Sequence, residues 1–153
     1  MDCILKPMNE EHIPQLALLE RECFSEPWSE SSLKEELENE NSHFIVAETE
    51  NTAVGYIGVQ EICGEAYITN IAVFEKYRKT GIGRKLLKAA CFGAEQRKCE
   101  FITLEVRESN HSAIALYESE NFKMVGVRKN FYSSPTENGI IYTKNFKTGE
   151  VQL

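Results

Sequence analysis

The hydrophobic positions of this chain change period several times, and each change predicts a new element. Four segments carry apolar residues at helical spacing, and each follows a residue that can begin a helix. The apolar faces are Ile13, Leu16, Leu19 and Cys23 after Asn9; Leu33 and Leu37 after Ser29; Ile82, Leu86, Ala90 and Ala94 near Gly81–Gly83; and Ile114 and Tyr117 after Asn110. Pro14 leaves undecided where the first helix begins, because an interior proline removes a backbone hydrogen bond.

Compact or alternating apolar runs predict seven strands around these helices. Their ranges are 3–6, 44–47, 53–62, 65–74, 101–106, 124–132 and 140–146. Residues 50–52 and Gly64 predict turns, while Gly55 and Gly58 are candidate bulge points. The order β-α-α-β-β-β-α-β-α-β-β indicates one α/β domain over residues 1–153, with a mixed sheet and helices on its faces.

Composition narrows the class of protein and its location. The chain has 153 residues, of which 42% are hydrophobic, and no run of ~18 apolar residues predicts a membrane span. Residues 1–11 lack the basic start and apolar stretch of a secretory signal, so we expect a cytoplasmic protein. The five cysteines show no C-x-x-C spacing and the three histidines are scattered, so we expect no metal site and small, buried, unpaired cysteines.

Charge is distributed unevenly along the chain. The net charge is −7, yet residues 1–50 carry 3 basic and 13 acidic side chains, a net of −10, and residues 51–153 carry a net of +3. Residues 76–88 include six basic side chains and no acidic one. An acidic protein with one basic cluster favours a small phosphate-bearing ligand over nucleic acid. A solvated helix face without a ligand is the alternative that charge alone leaves open.

Residues 70–88 join a strand to a helix through a turn that contains glycine. Glycine lets the backbone bend and approach a ligand, and the first amides of a helix have no internal partner. Together with the helix dipole, such amides form a binding site for an anion. Neither the G-x-x-x-x-G-K-[ST] nor the G-x-G-x-x-G motif is present, since Leu86 occupies the third glycine position of the second. The pattern that remains is R-x-x-G-x-G, from Arg78 to Gly83.

This pattern, between the strand Asn70–Val73 and an amphipathic helix, resembles the coenzyme A pyrophosphate loop of the GNAT acetyltransferase superfamily. Three further segments, 24–29, 104–122 and 128–132, look like those of the ribosomal-protein-alanine N-acetyltransferases within it. The resemblance implies an α/β (α+β) GNAT fold: a mixed, mostly antiparallel sheet of about seven strands, with a parallel split in the middle and about four helices on both faces. It also implies an enzyme that uses acetyl-CoA and no metal.

The resemblance implies roles for individual residues. The coenzyme contacts are Ile71, Ala72 and Val73 for the acetyl and pantetheine portion, Arg78, Lys79, Thr80, Gly81, Ile82, Gly83 and Arg84 for the pyrophosphate, and Asn110. Glu105 is the implied proton acceptor and Tyr117 the implied proton donor. We expect a backbone N–H of residues 71–73 to stabilise the oxyanion, provided that a bulge frees this group from sheet pairing.

Structural alternatives exist for each of these side chains. A carboxylate suffices as the base, because an N-terminal α-amine has a pKa of ~7.7–8.0. The alternative for Glu105 is a structural ion pair with Arg107 or another cation. Tyr117 suits protonation of the departing thiolate, and the alternative is an aromatic ring that packs on its helix face. Phe24 and Trp28 either shape an acceptor groove or belong to the core.

The acceptor is the part that the sequence determines least. The resemblance implies attack by the N-terminal alanine of a small-subunit ribosomal protein in a ternary complex, and the acidic region 1–50 suits a basic ribosomal tail. Residues 133–141 and 146–153 depart from the family pattern where acceptor specificity is set. A lysine side chain, a polyamine or an aminoglycoside is the alternative acceptor, and a non-catalytic acyl-CoA-binding module is the alternative function. We expect a monomer or weak homodimer without a nucleic-acid or membrane partner.

Overall fold

The computed structural model describes residues 2–146, and its elements follow the predicted order. The strands are β1 (Ile4–Pro7), β2 (Ser42–Thr49), β3 (Thr52–Ile62), β4 (Glu65–Val73), β5 (Phe101–Arg107), β6 (Lys123–Tyr132) and β7 (Glu137–Asn145). The helices are α1 (Ile13–Cys23), α2 (Glu30–Leu37), α3 (Ile82–Gln96) and α4 (His111–Ser119). Every predicted helix and strand is confirmed, with ends that differ by a few residues. Of the segment 146–153, all but Phe146 lies outside the described residues.

Polar caps begin three of the helical segments. The side chains of Ser29 and Asn110 accept hydrogen bonds from first-turn amides of α2 and α4. Asn9 caps a 3₁₀ turn, Glu10–His12, that continues directly into α1. Pro14 is the second residue of α1, where its missing N–H costs no helical hydrogen bond.

The seven strands form one sheet in the order β1-β2-β3-β4-β5-β7-β6. All neighbouring pairs are antiparallel except β4 and β5, which are parallel. The parallel pairing joins only Glu65–Tyr67 to Phe101–Thr103, and the two strands then separate. The expected mixed, mostly antiparallel sheet with a parallel split in its middle is therefore confirmed.

Both glycines that were candidate bulge points lie beside a bulge, but the extra residue is a neighbour in each case. Val54 has no partner in β2, next to Gly55. Thr69 has no partner in β3, opposite Gly58. A Cβ atom at Gly58 would overlap the ring of Phe44, so this position requires glycine for close packing.

Helices cover both faces of the sheet. One core lies under α3 and α4, and its largest fully buried members include Leu86, Leu87, Ile102 and Val59. The other lies under α1 and α2, and its members include Leu16, Leu19, Leu33 and Tyr56. In β5 the residues alternate between buried and half-buried, so Glu105 and Arg107 point away from α3 toward the α1 face.

Composition predicted the state of the cysteines, the lack of a membrane span and the lack of a metal site, and the structure gives an observation on each. All five cysteines are free: Cys91 and Cys99 are buried, Cys3 and Cys23 half-buried, and Cys63 exposed. The expectation of buried, unpaired cysteines is thus confirmed for two of the five. Within residues 2–146, no helix has the length and apolar character to cross a membrane, and no group of three His, Cys, Asp or Glu side chains could hold a metal ion.

Candidate active site at the split in the sheet

A cavity of about 300 Å³ opens where β4 and β5 separate. Its walls are formed by Glu20, Cys23, Phe24, Ser25, Glu26, Trp28, Ile68, Thr69, Asn70, Ile71, Leu104, Glu105, Val106, Arg107, Asn110, Tyr117 and Tyr132. The split therefore brings Glu105, Tyr117 and Asn110 together, although they come from a strand, a helix and a helix cap. This is where a carboxylate, a phenol and exposed strand backbone meet.

The Glu105 carboxylate forms an ion pair with a guanidinium, but not with that of Arg107. Its partner is the Nε atom of Arg128, which reaches across from β6. The two side chains are 28% and 59% exposed, respectively. The Oε2 atom of Glu105 is itself buried, so the pair is exposed only on the Arg128 side.

Tyr117 combines a buried ring with an available hydroxyl group. The residue is 4% exposed, and its ring packs on those of Phe122 and Tyr142 at centroid distances of 5.8 and 6.4 Å. Among residues 2–146 its hydroxyl has no hydrogen-bond partner. Burial raises the pKa of Tyr117 well above its ordinary value, so the hydroxyl stays protonated at neutral pH. It is thus a donor that faces the cavity without a competing acceptor.

The separation of the strands exposes peptide groups of β4. The Phe74 N–H donates to the Val54 carbonyl of β3 at 2.9 Å. Since successive peptide groups of a strand point to opposite sides, the N–H groups of Ile71 and Val73 point away from β3 and into the split. The divergence of β5 leaves them without a strand partner there. A bulge does lie in β4, at Thr69 just before these residues, but it is the split between β4 and β5 that leaves these groups without a strand partner.

The turn before α3 presents amides to solvent. Gly81 is the helix N-cap with a φ of +90°, and Lys79 has a φ of +62°. The first helical hydrogen bond comes from Lys85 N–H to the Gly81 carbonyl, at 3.0 Å. Three earlier amides have no partner among the described residues, namely those of Ile82, Gly83 and Arg84. These unpaired amides lie at the start of a 15-residue helix, as an anion site requires, and the site itself stays a prediction.

Two basic side chains of this turn bind within the protein. Arg78 donates through Nε to the Val73 carbonyl at 2.9 Å, and its Nη2 lies 3.2 Å from the Cys23 sulfur. Arg84 donates through Nη1 to the Glu120 carboxylate at 2.5 Å. These hydrogen bonds connect the turn to β4 and to the end of α4. The backbone amides, rather than these two side chains, are therefore the free donors of the turn.

A buried carboxylate network under the cavity was missed by the sequence analysis. Glu20 is 1% exposed and accepts hydrogen bonds from the Tyr56 hydroxyl at 2.6 Å, the Trp28 N–H at 2.9 Å and the Asn70 Nδ2 at 3.4 Å. Burial, followed by the nearby Glu20 charge, raises the pKa of Tyr56 above its ordinary value. The network ties α1 and the segment after it to β3 and β4. The available signal was an acidic residue on the apolar face of α1.

Replacing Tyr56 by phenylalanine is expected to lower the free energy of unfolding by ~1–3 kcal/mol, because the buried Glu20 carboxylate loses one of its three hydrogen-bond donors. Tyr67→Phe is the matched control, since Tyr67 donates to the half-exposed Glu65. We expect that control to change stability by less than ~0.5 kcal/mol. Urea denaturation measures both. Equal losses in the two variants would contradict the structural role of the Glu20 network.

The structure shows whether Phe24 and Trp28 shape an acceptor groove or belong to the core. Trp28 packs on Phe44 at a centroid distance of 6.0 Å and also lines the cavity, so both interpretations hold for it. Phe24 lines the cavity and is 40% exposed, which favours the groove. Tyr132 was not among the expected site residues. It lines the cavity, and burial, with the nearby Glu105 charge, raises its pKa to about 12.

Comparison with known proteins identifies a matching family and two solved structures with a similar fold. The chain matches the family model for the Acetyltransferase (GNAT) family over residues 13–122. It is 35% identical over 127 residues to the ribosomal protein bS18-alanine N-acetyltransferase of Escherichia coli K12, which covers 83% of this chain and 84% of that protein. The fold is similar to the crystal structure of the Escherichia coli ribosomal-protein-S18-alanine N-acetyltransferase, with a TM-score of 0.88, 27% identity and 99% and 100% of the two chains covered. It is also similar to Arabidopsis thaliana NAA60 in complex with acetyl-CoA, with a TM-score of 0.88, 16% identity and 95% and 99% covered, a likeness of fold alone.

Proposed function

This chain belongs to the GNAT acetyltransferase family and is an acetyl-CoA-dependent N-acetyltransferase, and on that premise we propose that it acetylates the N-terminal alanine of the small-subunit ribosomal protein bS18. The observation that carries the proposal is the cavity at the split, which Glu105 and Tyr117 both line. The 35% identity to an alanine N-acetyltransferase over 83% of the chain supports the choice of acceptor.

Acetyl-CoA would lie along the separated edge of β4. The free amides of Ile82, Gly83 and Arg84 suit a diphosphate, because they combine unpaired donors with the positive end of the α3 dipole. The N–H groups of Ile71 and Val73 point into the split, where they can hold the pantetheine arm and the acetyl oxygen. Asn110 lies on the opposite wall, at the start of α4.

Glu105 would accept the proton of the attacking amine. An α-amine has a pKa of ~7.7–8.0, so a carboxylate that acts directly or through one water is sufficient. As the amine attacks the thioester carbonyl, the new C–N bond forms and negative charge develops on the carbonyl oxygen. A strand N–H of residues 71–73 would stabilise that oxygen. The tetrahedral intermediate then expels the thiolate, and the Tyr117 hydroxyl, as the proton donor of a hydrogen bond, would stabilise the charge on sulfur.

Direct attack, without an acetylated enzyme, is the proposed route. The only cysteine that borders the cavity in the described part of the chain is Cys23. Burial raises the pKa of the Cys23 thiol despite the adjacent Arg78, so the thiol is predominantly protonated and a poor nucleophile at neutral pH. The amine and the thioester must therefore occupy the cavity together.

Mass spectrometry of a peptide with the N-terminal sequence of bS18 tests the acceptor. Incubation with the protein and acetyl-CoA is expected to add one acetyl group to the α-amine, while the intact mass of the protein stays unchanged. A peptide with a blocked N-terminus and a free lysine, spermidine and an aminoglycoside are the comparison acceptors. Preference for one of these would reject the alanine assignment. An absence of product with every amine would instead favour an acyl-CoA-binding module.

Gly83→Glu is expected to weaken acetyl-CoA binding by about tenfold or more, because it places a carboxylate beside the proposed diphosphate site. The same change should leave the melting temperature unchanged or raise it, since a Cβ atom at Gly83 meets only Leu116 at 3.6 Å and an acidic side chain suits a helix N-terminus. Gly83→Gln, of equal size and no charge, should lose less affinity. Isothermal titration with acetyl-CoA measures both variants. Equal affinities would argue against a diphosphate at this turn.

A further inference from the structure

Arg107 holds a loop that no apolar contact fixes. Its Nη2 donates to the Ser133 carbonyl and its Nη1 to the Pro135 carbonyl, both at 2.8 Å. Residues 133–136 join β6 to β7, and all four are exposed, so hydrophobic burial does not position them. The planar guanidinium presents several donors in a fixed geometry, and its hydrogen bonds hold the loop backbone in one conformation.

The same guanidinium fixes the aromatic residue that leads into the loop. It lies over the Tyr132 ring, at 4.6 Å from the ring centroid. Tyr132 lines the cavity at the split, and Arg107 itself lies two residues after Glu105 on the same face of β5. One side chain therefore aligns both the loop and Tyr132 with the carboxylate that faces the cavity.

Glu137 extends this arrangement to the residue before Asn110. It accepts from Arg107 Nη1 at 3.1 Å and from the Ser109 N–H at 2.7 Å. Ser109 directly precedes Asn110, the cap of the helix that carries Tyr117. The loop is thus fastened to the turn between β5 and α4. Hydrogen bonds to Ser109 and Arg107 hold the pKa of Glu137 below its ordinary range, so it is ionised at neutral pH.

The opposite side of the loop reaches the segment between α1 and α2. The Ser133 hydroxyl donates to the Glu26 carboxylate at 3.2 Å, and Arg107 Nη2 lies 3.5 Å from the Ser25 hydroxyl. Both of these residues line the cavity. Tyr132, Ser25 and Glu26 line the cavity, and the contacts described above join residues 133–137 to them. We call these residues together the acceptor wall.

We propose that Arg107 is a positioning residue that sets acceptor affinity by fixing the acceptor wall in place, with Glu137 as its partner. The inference rests on the proposed function, because the acceptor must approach Glu105 past this wall. Arg107 lines the cavity, but its two terminal nitrogen atoms donate to the loop, to Glu137 and to Ser25. Its loss should therefore change how well the acceptor binds and leave the chemical step and the coenzyme site nearly intact.

Steady-state kinetics of Arg107→Met and Arg107→Lys tests the assignment. We expect Arg107→Met to raise the KM for the acceptor about tenfold or more, with the KM for acetyl-CoA and kcat within about threefold of the wild type. Arg107→Lys should recover little, because one ammonium group cannot span two carbonyls and a carboxylate. Arg97→Met is the matched control: Arg97 pairs only with Glu61 among the described residues and lies at the far end of α3.

Hydrogen exchange of the Ser109 amide supplies a readout that is independent of the acceptor. Release of Glu137 in Arg107→Met should speed that exchange about tenfold. The kinetics use whichever amine the wild type acetylates in the acceptor panel, so a failure of the alanine assignment does not decide this question. An unchanged acceptor KM overturns the inference. Equal increases in the KM for the acceptor and for acetyl-CoA, or unchanged Ser109 exchange, also overturn it.

Discussion

Tyr117→Phe is expected to lower kcat at least ~10-fold while acetyl-CoA affinity stays within about twofold of the wild type. The change removes only the hydroxyl group, and the ring can keep its packing on Phe122 and Tyr142. Because the hydroxyl has no hydrogen-bond partner within residues 2–146, its removal leaves no protein group unsatisfied. The melting temperature should therefore hardly change, and a slower rate then reports on the reaction.

The raised pKa of Tyr117 determines whether its hydroxyl acts as a proton donor or as an acceptor at neutral pH. A thiol has a pKa of ~8.5, below that of tyrosine, so the phenol stabilises the departing thiolate chiefly as a hydrogen-bond donor at neutral pH. Burial raises the pKa of Tyr117 further and keeps this donor protonated. The deficit of Tyr117→Phe should consequently be constant from about pH 6 to about pH 9, because the hydroxyl does not titrate there.

Tyr142→Phe is the matched control for Tyr117→Phe. The two rings are neighbours, but the Tyr142 hydroxyl donates to Glu118 at 2.7 Å and does not border the cavity. It should retain the wild-type kcat and acetyl-CoA affinity. Single-turnover measurements at saturating acetyl-CoA separate the chemical step from product release for all three proteins. A Tyr117→Phe variant with the wild-type single-turnover rate would remove the proton-donor role.

The fold could be predicted because local periodicity and tertiary packing agree along most of the chain. In α3 the apolar spacing that predicts a helix is also the set of positions that packs on the sheet. In β5 the alternation of apolar and polar residues matches the alternation of buried and half-buried positions. The 3₁₀ turn Glu75–Tyr77 was not predicted, since three residues carry too little periodicity to distinguish it from a loop.

The partners of the charged side chains could not be predicted in the same way. The basic residues of 76–88 give a local charge that the sequence displays directly, but Arg84 finds Glu120, 36 positions away. The pairing of Glu105 with Arg128 depends on the register of β5, β7 and β6, which no short-range pattern encodes. Motif spacing thus predicted the candidate residues that the split brings together, whereas sheet topology determines which carboxylate each guanidinium group pairs with.

Glu105→Gln is expected to lower kcat/KM for the acceptor by at least ~10-fold near pH 7 and to leave acetyl-CoA binding unchanged. Glutamine keeps the size of the side chain but cannot accept the amine proton. As the pH rises from about 7 to about 9, the deficit should shrink, because an α-amine with a pKa of ~7.7–8.0 becomes neutral without the help of a base. A pH profile of kcat/KM for both proteins measures this. A deficit that is independent of pH would contradict the role of Glu105 as a base.

Arg128→Gln distinguishes this role from a merely structural ion pair. It removes the same pair from the other side and keeps the carboxylate at the cavity. If Glu105 served only to hold Arg128 on β6, the two variants should lose activity equally. If the carboxylate accepts the proton, Arg128→Gln should keep at least about a third of the wild-type rate, because the base is still present at the cavity. The exposed guanidinium then acts as a counter-ion that the acceptor ammonium displaces, which places the amine beside the group that deprotonates it.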